Sequence, residues 1–216
     1  MDVLDPTQRF SIQQSTGFDQ SNIVSSTVLI SCVHACQWKD LAAAFTKEAE
    51  WRLLSYVPSL EDYLPVATTS VTAIASLTTF IFILGEPITD EILQLIGKDS
   101  RFLYLASLIS RLANDIATNE DEVAEGKLCN AVGCYMKDHP DSTKEDAINA
   151  IKEMIKASFA EMEQAMFAYR GIVPDCCIRA VLGWVQAICI TYRKLDGYKS
   201  TMDTEYEELV KDYMGY

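Results

Sequence analysis

Residues 100–125 read SRFLYLASLISRLANDIATNEDEVAE and decide the fold class. The first half is mostly apolar and the second half mostly polar, and the apolar residues recur at the spacing of a helix. No proline or glycine interrupts the stretch before Gly126. It therefore predicts one helix from about Ser100 to Glu125 that stops at Gly126. The side chains expected to supply its burial are those of Phe102, Leu103, Leu105, Leu108 and Leu112.

The polar half of this helix carries a stripe of oxygen donors. Asn114, Thr118 and Glu122 are spaced four apart, so each advances by about 40° around the helix, and Arg111 falls at about 60° on the same scale. Amide, hydroxyl and carboxylate oxygens are ligands that Mg²⁺ accepts, and a nearby guanidinium suits a phosphate that shares the metal. Spacing alone also fits an ordinary solvated acidic face. Arg111 has an alternative role as a salt-bridge partner of an acid such as Asp115.

The rest of the chain also predicts helices, and strand-like alternation is almost absent, so the fold class is all-α. Residues 1–22 resemble a loose polar arm, 23–36 are apolar, and Gln37–Leu54 has helical spacing. Pro58 and Pro65 bracket a short acidic connector. Residues 66–84 carry no charge and are long enough to cross a membrane. Their seven Ser and Thr residues and their acidic flanks favour a helix buried on all sides instead.

Local signals place the remaining helix ends. Gly85 and Pro87 end the uncharged helix, and Thr89 caps a short helix that Gly97 closes. A further helix follows Gly126 and ends near residues 139–140. The pattern Ser142-x-x-Glu145 predicts a capping box for a long helix. Pro174 opens the last long helix, which runs to about Thr191, and residues 196–216 are expected to hold a loop and a short acidic helix. The face expected to be buried on the long helix contains Ile148, Ile151, Ile155, Phe159 and Met162.

Length and charge exclude several classes of protein. The length of 216 residues is typical of a single domain. The formal net charge of −13 argues against nucleic acid as a partner, because the phosphates would be repelled. The same charge would repel a diphosphate, so a metal must mediate that contact. Seven cysteines without a preceding secretory signal suit a reducing compartment.

Several segments around the stripe resemble the catalytic α-domain of plant class I terpene synthases, most of all conifer-type diterpene and sesquiterpene synthases. The family's second metal motif, (Asn/Asp)-Asp-x-x-(Ser/Thr)-x-x-x-Glu, is matched by Asn114, Thr118 and Glu122. Residues 126–132 are similar to kaurene-synthase-like members, and Asp196-Gly-Tyr198 resembles an element of the loop that closes over the site. The flanking segments that carry the resemblance are Lys47–Trp51, Tyr56–Tyr63, Gly85–Glu91, Asp99–Tyr104 and Cys134–Pro140.

The resemblance implies a helical bundle that forms the C-terminal part of this α-domain over residues 37–216, preceded by an arm and an atypical apolar segment over 1–36. It implies Mg²⁺, or alternatively Mn²⁺, on Asn114, Thr118 and Glu122, a diphosphate contact at Arg111 and a lid role for Tyr198. The expected reaction is ionisation of a prenyl diphosphate, with geranylgeranyl diphosphate or a cyclised C20 diphosphate preferred. Candidates for the aromatic cavity wall, each also consistent with plain core packing, are Phe80, Phe82, Tyr104, Trp184, Tyr192 and Tyr198.

The family's first metal motif, Asp-Asp-x-x-Asp, has no match, because the sequence contains no Asp-Asp pair. A truncated chain is therefore expected, and two alternatives stay open beside the enzyme. One is a catalytically incomplete α-domain that keeps only the second Mg²⁺ site, and the other is a non-enzymatic acidic helical interaction module. An incomplete bundle should expose an apolar face along residues 66–84 and self-associate through it, without a membrane span. Either a plastid or the cytoplasm is a consistent location.

Overall fold

The computed structural model describes residues 20–87, 89–97, 99–124 and 129–194, and within them it confirms the all-α class. Two residues, Arg170 and Val173, form an isolated β-bridge, and no strand occurs in the described ranges. The expected acidic tail helix and Gly126 lie outside these ranges. The helices are α1 Gln20–Leu53, α2 Leu60–Ser70, α3 Ala73–Ile83, α4 Asp90–Ile96, α5 Arg101–Ala124, α6 Ala131–Asp138, α7 Lys144–Tyr169 and α8 Asp175–Lys194.

Helix α5 is the centre of the bundle and joins two apolar clusters. One cluster packs its Phe102 and Ile109 against α3, α4 and α8, and the other packs Leu112 against Trp51, α6 and α7. The five apolar side chains predicted to supply its burial are all buried. The prediction for this helix is therefore confirmed, both in its start after Ser100 and in its buried face.

Helix α1 merges two segments that the sequence separates. It runs without a break from Gln20 through Gln37 to Leu53, so the loose arm expected up to residue 22 is wrong for its last three residues. Gln37 lies inside the helix and donates hydrogen bonds to Thr78 Oγ1 (2.8 Å) and to the carbonyl of Ile96 (3.3 Å). These bonds fasten α1 to α3 and α4. The domain limit between residues 36 and 37 stays a prediction.

The acidic connector expected between Pro58 and Pro65 is wrong, because these residues begin α2. Ser59 caps the helix by accepting a hydrogen bond from the amide of Asp62, and Glu61 and Asp62 occupy its first turn. Carboxylates are favourable at that end because they face the positive end of the helix dipole. Pro65 is accommodated inside the helix.

The uncharged stretch 66–84 is not one helix buried on all sides. It breaks between Ser70 and Ala73, where Thr72 adopts a φ of 65°, a left-handed conformation that ends the helical hydrogen-bond ladder. Its C-terminal part is also solvent-facing: Phe80 is 49% exposed and Ile83 is 70% exposed, with Phe82 and Leu84 exposed beside them. The apolar face expected along this stretch is therefore present at the end of α3.

Within the part of the chain that the structure describes, two stretches are long and apolar enough to cross a membrane by length and composition alone: Leu60–Ile83 and Asp175–Tyr192. The core helix of a soluble protein passes the same test, so this is weak support for a span. The first stretch is divided between α2 and α3 and contributes Tyr63, Leu77 and Ile81 to the interior. The absence of a membrane span stays a prediction.

The long helix α7 is capped one residue later than predicted. Thr143, not Ser142, accepts the amide of Asp146, and the Asp146 carboxylate accepts the amide of Thr143, which completes the capping box. The hydroxyl of Ser142 donates to the carbonyl of His139 instead. Phe159 is exposed, contrary to the predicted buried face, whereas Ile151 and Met162 are buried as expected.

The shorter local signals are confirmed. Thr89 caps α4 by accepting the amide of Ile92, and Gly97 follows its last residue. Helix α8 begins directly after Pro174 and ends three residues beyond the predicted Thr191.

We predict that Thr143→Ala destabilises the protein by about 1 kcal/mol, because the side-chain cap of α7 is lost. Ser142→Ala is the matched control and should change stability much less. Chemical denaturation of both variants measures the difference. A larger loss in Ser142→Ala would contradict the observed register of the cap.

Candidate metal and diphosphate site

The three predicted ligands occupy the second half of α5. Asn114, Thr118 and Glu122 lie in one unbroken helix at spacings of four, so they form a single slowly turning stripe. Asn114 and Glu122 are half-buried, and Thr118 is buried.

The hydrogen bonds of these residues leave oxygen atoms for a cation. Thr118 Oγ1 donates its proton to the carbonyl of Asn114 (3.0 Å), so its lone pairs stay unused by that bond. Glu122 Oε2 accepts a hydrogen bond from Asn130 Nδ2 (2.8 Å), and Oε1 takes no protein hydrogen bond among the described residues. The amide of Asn114 likewise has no side-chain partner there. Three oxygens of different type are therefore available, which fits the hard-ligand chemistry of Mg²⁺.

The donor set is poor in charge. In the described ranges no three His, Cys, Asp or Glu side chains come together as a metal-binding group. The candidate site therefore rests on one carboxylate and two neutral oxygens. Mg²⁺ gives up its waters reluctantly, so such a site needs further ligands from a bound anion to hold the ion firmly.

Arg111 lies in a buried polar network. Its Nε and Nη2 donate to the hydroxyl oxygen of Tyr63 at 2.9 and 2.6 Å. Nε also lies 2.8 Å from Asp115 Oδ1, and Nη2 lies 3.5 Å from Glu48 Oε1. The salt bridge to Asp115, the alternative role that the sequence offers, is therefore present. The diphosphate contact stays a prediction.

Asp115 fastens this network to the next helix. Its Oδ2 accepts hydrogen bonds from the hydroxyl of Tyr63 (2.7 Å) and from the amide of Ala131 (2.8 Å), the first residue of α6. The network also reaches α1 through the ion pair between Arg111 and Glu48. Glu48 in turn accepts a hydrogen bond from Ser70 Oγ (2.5 Å) at the end of α2. Four helices thus meet at one charged cluster.

Burial and charge act on the network in opposite directions. Burial raises the pKa of Asp115, and the positive charge of Arg111 opposes that rise. Burial also lifts the pKa of Tyr63 well above its usual value, with a further increase from the charge of Asp115. For Arg111, burial has the largest single effect and lowers the pKa, but Asp115, Tyr63 and Glu48 together outweigh it and the net shift of the pKa is upward. Arg111 therefore stays a cation.

Three residues of this region were not singled out from the sequence. Tyr63 and Glu48 lie 48 and 63 positions before Arg111, so no local pattern links them to it. Asn130 did carry a signal, because asparagine directly before a helical segment is a favoured N-cap. It caps α6 by accepting the amide of Gly133 (2.8 Å).

The aromatic candidates separate into different surroundings. Phe80 and Trp184 pack against each other with ring centroids 6.1 Å apart, and Trp184 Nε1 donates to Ser110 Oγ on α5 (3.1 Å). Tyr104 lies under the guanidinium of Arg101. Phe82 is exposed at the end of α3. Tyr198, the predicted lid residue, lies outside the described residues.

Comparison with known proteins identifies the family. The model described as "Terpene synthase family, metal binding domain" matches residues 22–161, a range that includes α5 and all three candidate ligands. The chain therefore belongs to the terpene synthase family, which confirms the resemblance.

Curated relatives are diterpene synthases of conifers. The chain is 37% identical over 175 residues to the bifunctional levopimaradiene synthase, chloroplastic, of Pinus contorta, and 36% identical over 174 residues to the bifunctional isopimaradiene synthase, chloroplastic, of Abies balsamea. Each match covers 81% of this chain and 20% of the relative. The chain thus spans about a fifth of the length of these curated relatives.

Solved structures show the same fold. Abietadiene synthase from Abies grandis superposes with a TM-score of 0.73 at 32% identity, covering 82% of this chain and 23% of that one. Isoprene synthase from grey poplar leaves (Populus x canescens), solved with three Mg²⁺ ions and dimethylallyl-S-thiolodiphosphate, gives a TM-score of 0.66 at 24% identity. That match covers 74% of this chain and 30% of the other, and it concerns the fold alone.

We predict that Tyr63→Phe destabilises the protein by about 1–3 kcal/mol, because Asp115 and Arg111 each lose a buried hydrogen-bond partner. Tyr56→Phe is the matched control, since Tyr56 is exposed. Urea denaturation of both variants gives the comparison. Equal stability of the two variants would show that the buried network contributes nothing measurable.

Proposed function

We propose that this chain is the metal-binding part of a class I terpene synthase, a carbon–oxygen lyase that ionises a prenyl diphosphate. The observation that carries the proposal is the family match over residues 22–161 together with the stripe of oxygen donors on α5. The geometry supports it because Asn114, Thr118 and Glu122 keep oxygen atoms that take no hydrogen bond from the described residues.

In this proposal Asn114, Thr118 and Glu122 hold Mg²⁺, or Mn²⁺, which accepts the same oxygen donors. The ion, when bound, supplies Lewis-acid stabilisation of the diphosphate leaving group. Glu122 contributes the negative charge of the site. Arg111 contributes a fixed positive charge, and its Nη1 takes no part in the contacts to Tyr63, Asp115 and Glu48. That nitrogen is the proposed donor to a diphosphate oxygen.

The preferred substrate is geranylgeranyl diphosphate or a cyclised C20 diphosphate. This preference is supported by the curated relatives, which are named levopimaradiene synthase and isopimaradiene synthase. The match to the terpene synthase metal-binding domain supports the wider class of a metal-bound prenyl diphosphate. The relatives are named as chloroplastic, which supports the plastid over the cytoplasm as the location.

The test is incubation of the full chain with geranylgeranyl diphosphate and Mg²⁺, followed by detection of hydrocarbon products by gas chromatography and mass spectrometry. Isothermal titration calorimetry with Mg²⁺ and inorganic pyrophosphate measures the site separately. We expect Glu122→Gln to weaken Mg²⁺–pyrophosphate binding by at least about tenfold, because even the outer partners of metal ligands contribute about 10- to 100-fold. Product formation should fall with it.

Glu153→Gln is the matched control, because Glu153 is an exposed carboxylate that pairs only with Lys156 on α7 among the described contacts. It should bind and react like the unmodified protein. Weak binding without any product would favour the incomplete α-domain that keeps one Mg²⁺ site, and tight Mg²⁺–pyrophosphate binding would contradict it. The absence of both binding and product would favour the acidic interaction module.

We also propose that the isolated chain self-associates through the exposed end of α3. Ile83→Lys places a charge in this apolar face and should shift the chain toward monomer in size-exclusion chromatography with light scattering. Leu53→Lys, at an exposed apolar residue of α1, controls for added charge alone. If the unmodified chain elutes as a sharp monomer peak and melts cooperatively, the proposal is contradicted.

A further inference from the structure

Asn130 connects the candidate metal site to the start of α6. Its side chain is 1% exposed, and its polar atoms meet three partners. Nδ2 donates to Glu122 Oε2 (2.8 Å) and to Asn119 Oδ1 (3.2 Å), while Oδ1 accepts the amide of Gly133 (2.8 Å). One buried amide therefore caps a helix and holds a candidate ligand.

We infer that Asn130 is a positioning residue for Glu122, which fixes the carboxylate of the metal site while it caps α6. The inference rests on the proposed function, because it assigns Asn130 a role toward the same Mg²⁺ ligand. The hydrogen bond on Oε2 reserves Oε1 for the ion. Outer partners that hold a ligating carboxylate in this way contribute to metal affinity without touching the metal.

A glutamate near the end of a helix has several rotamers, and its carboxylate is otherwise free to turn toward solvent. The helix α5 ends at Ala124, two residues after Glu122. A fixed donor on the neighbouring helix removes that freedom before the ion arrives. The Glu122 side chain then loses its rotamer entropy on folding and not on metal binding, so binding of the ion is less unfavourable in entropy.

The position of Asn130 is itself fixed at a second point. The amide of its neighbour Ala131 donates to Asp115 Oδ2, seven residues before Glu122 on α5. The start of α6 is thereby attached to α5 at both Asp115 and Glu122. The donor to Glu122 consequently belongs to a rigid element and not to a loose loop.

A purely structural role as a helix cap is the competing explanation, and Asn130→Ser separates the two. Serine caps helices about as well as asparagine, but it removes the amide that donates to Glu122. We expect the affinity for Mg²⁺ in the presence of inorganic pyrophosphate to fall by about 10- to 100-fold. Calorimetry with Mg²⁺ and electron paramagnetic resonance of Mn²⁺ both report this affinity without any need for turnover.

Three further proteins complete the experiment. Asn130→Asp keeps both the size and the cap but replaces the donor by a carboxylate oxygen, so it should also lose affinity. Thr143→Ser is the control for a cap-preserving change away from the site. In a Glu122→Gln background, Asn130→Ser should cause no further loss, because the carboxylate that it positions is gone.

Wild-type affinity in both Asn130→Ser and Asn130→Asp would overturn the inference and leave the proposed function standing. An additive loss in the double variant would overturn it too, as would failure of both single variants to melt cooperatively, because the role would then be structural. If the unmodified chain does not bind Mg²⁺ with pyrophosphate, the proposed function fails and this inference fails with it.

Discussion

The largely buried guanidinium of Arg111, whose side chain is 15% exposed, is the constraint on which this half of the bundle depends. A charge taken out of water without partners costs several kcal/mol, so the fold must bring Asp115, Glu48 and the hydroxyl of Tyr63 around it. Those partners come from α1, α2 and α5, and Asp115 then receives the first amide of α6. Most of these groups are hydrogen-bonded to one another, and Asp115 Oδ1, which takes no hydrogen bond among the described residues, lies 2.8 Å from the positive charge of Arg111. Moving any of the four helices away would therefore leave further buried polar groups unpaired.

This network also sets the rotation of α5 about its own axis. Asp115 points into the interior, and Asn114 is offset from it by about 100° around the helix. The stripe therefore starts to one side of the charged network at Asn114 and turns toward it, so that Glu122 lies only about 20° from Asp115 around the helix. Asn114 and Glu122 stay partly exposed. The same attachment places Asn130 next to Glu122. A structural cluster thus presents the proposed ligands, although it contains none of the three.

Some of this organisation can be read in the sequence and some cannot. The start of α5, the cap at Thr89 and the start of α8 after Pro174 follow from local patterns, and all three are confirmed. The cap of α7 was misplaced because Ser142-x-x-Glu145 and Thr143-x-x-Asp146 fit the same pattern, and only the fold decides between them.

No local residue pattern predicts the break at Thr72 or the Tyr63–Asp115 bond. A threonine rarely adopts a φ of 65° by its own preference, so tertiary packing must impose it. The bond joins residues 52 positions apart. Conversely, the ligand stripe is visible in the sequence because its members share one helix, whereas its supporting residue Asn130 lies beyond that helix.

Charge imposes a last condition on the proposed function. A stripe with one carboxylate attracts Mg²⁺ only weakly, and a chain with a net charge of −13 repels a free diphosphate. Mg²⁺ and diphosphate each favour the binding of the other, because the diphosphate would complete the coordination of the metal and the metal would neutralise the diphosphate. Binding of the two must then be strongly coupled, and by linkage each raises the affinity for the other by the same factor. A site of this composition is suited to recognising the metal–diphosphate pair and not either component alone.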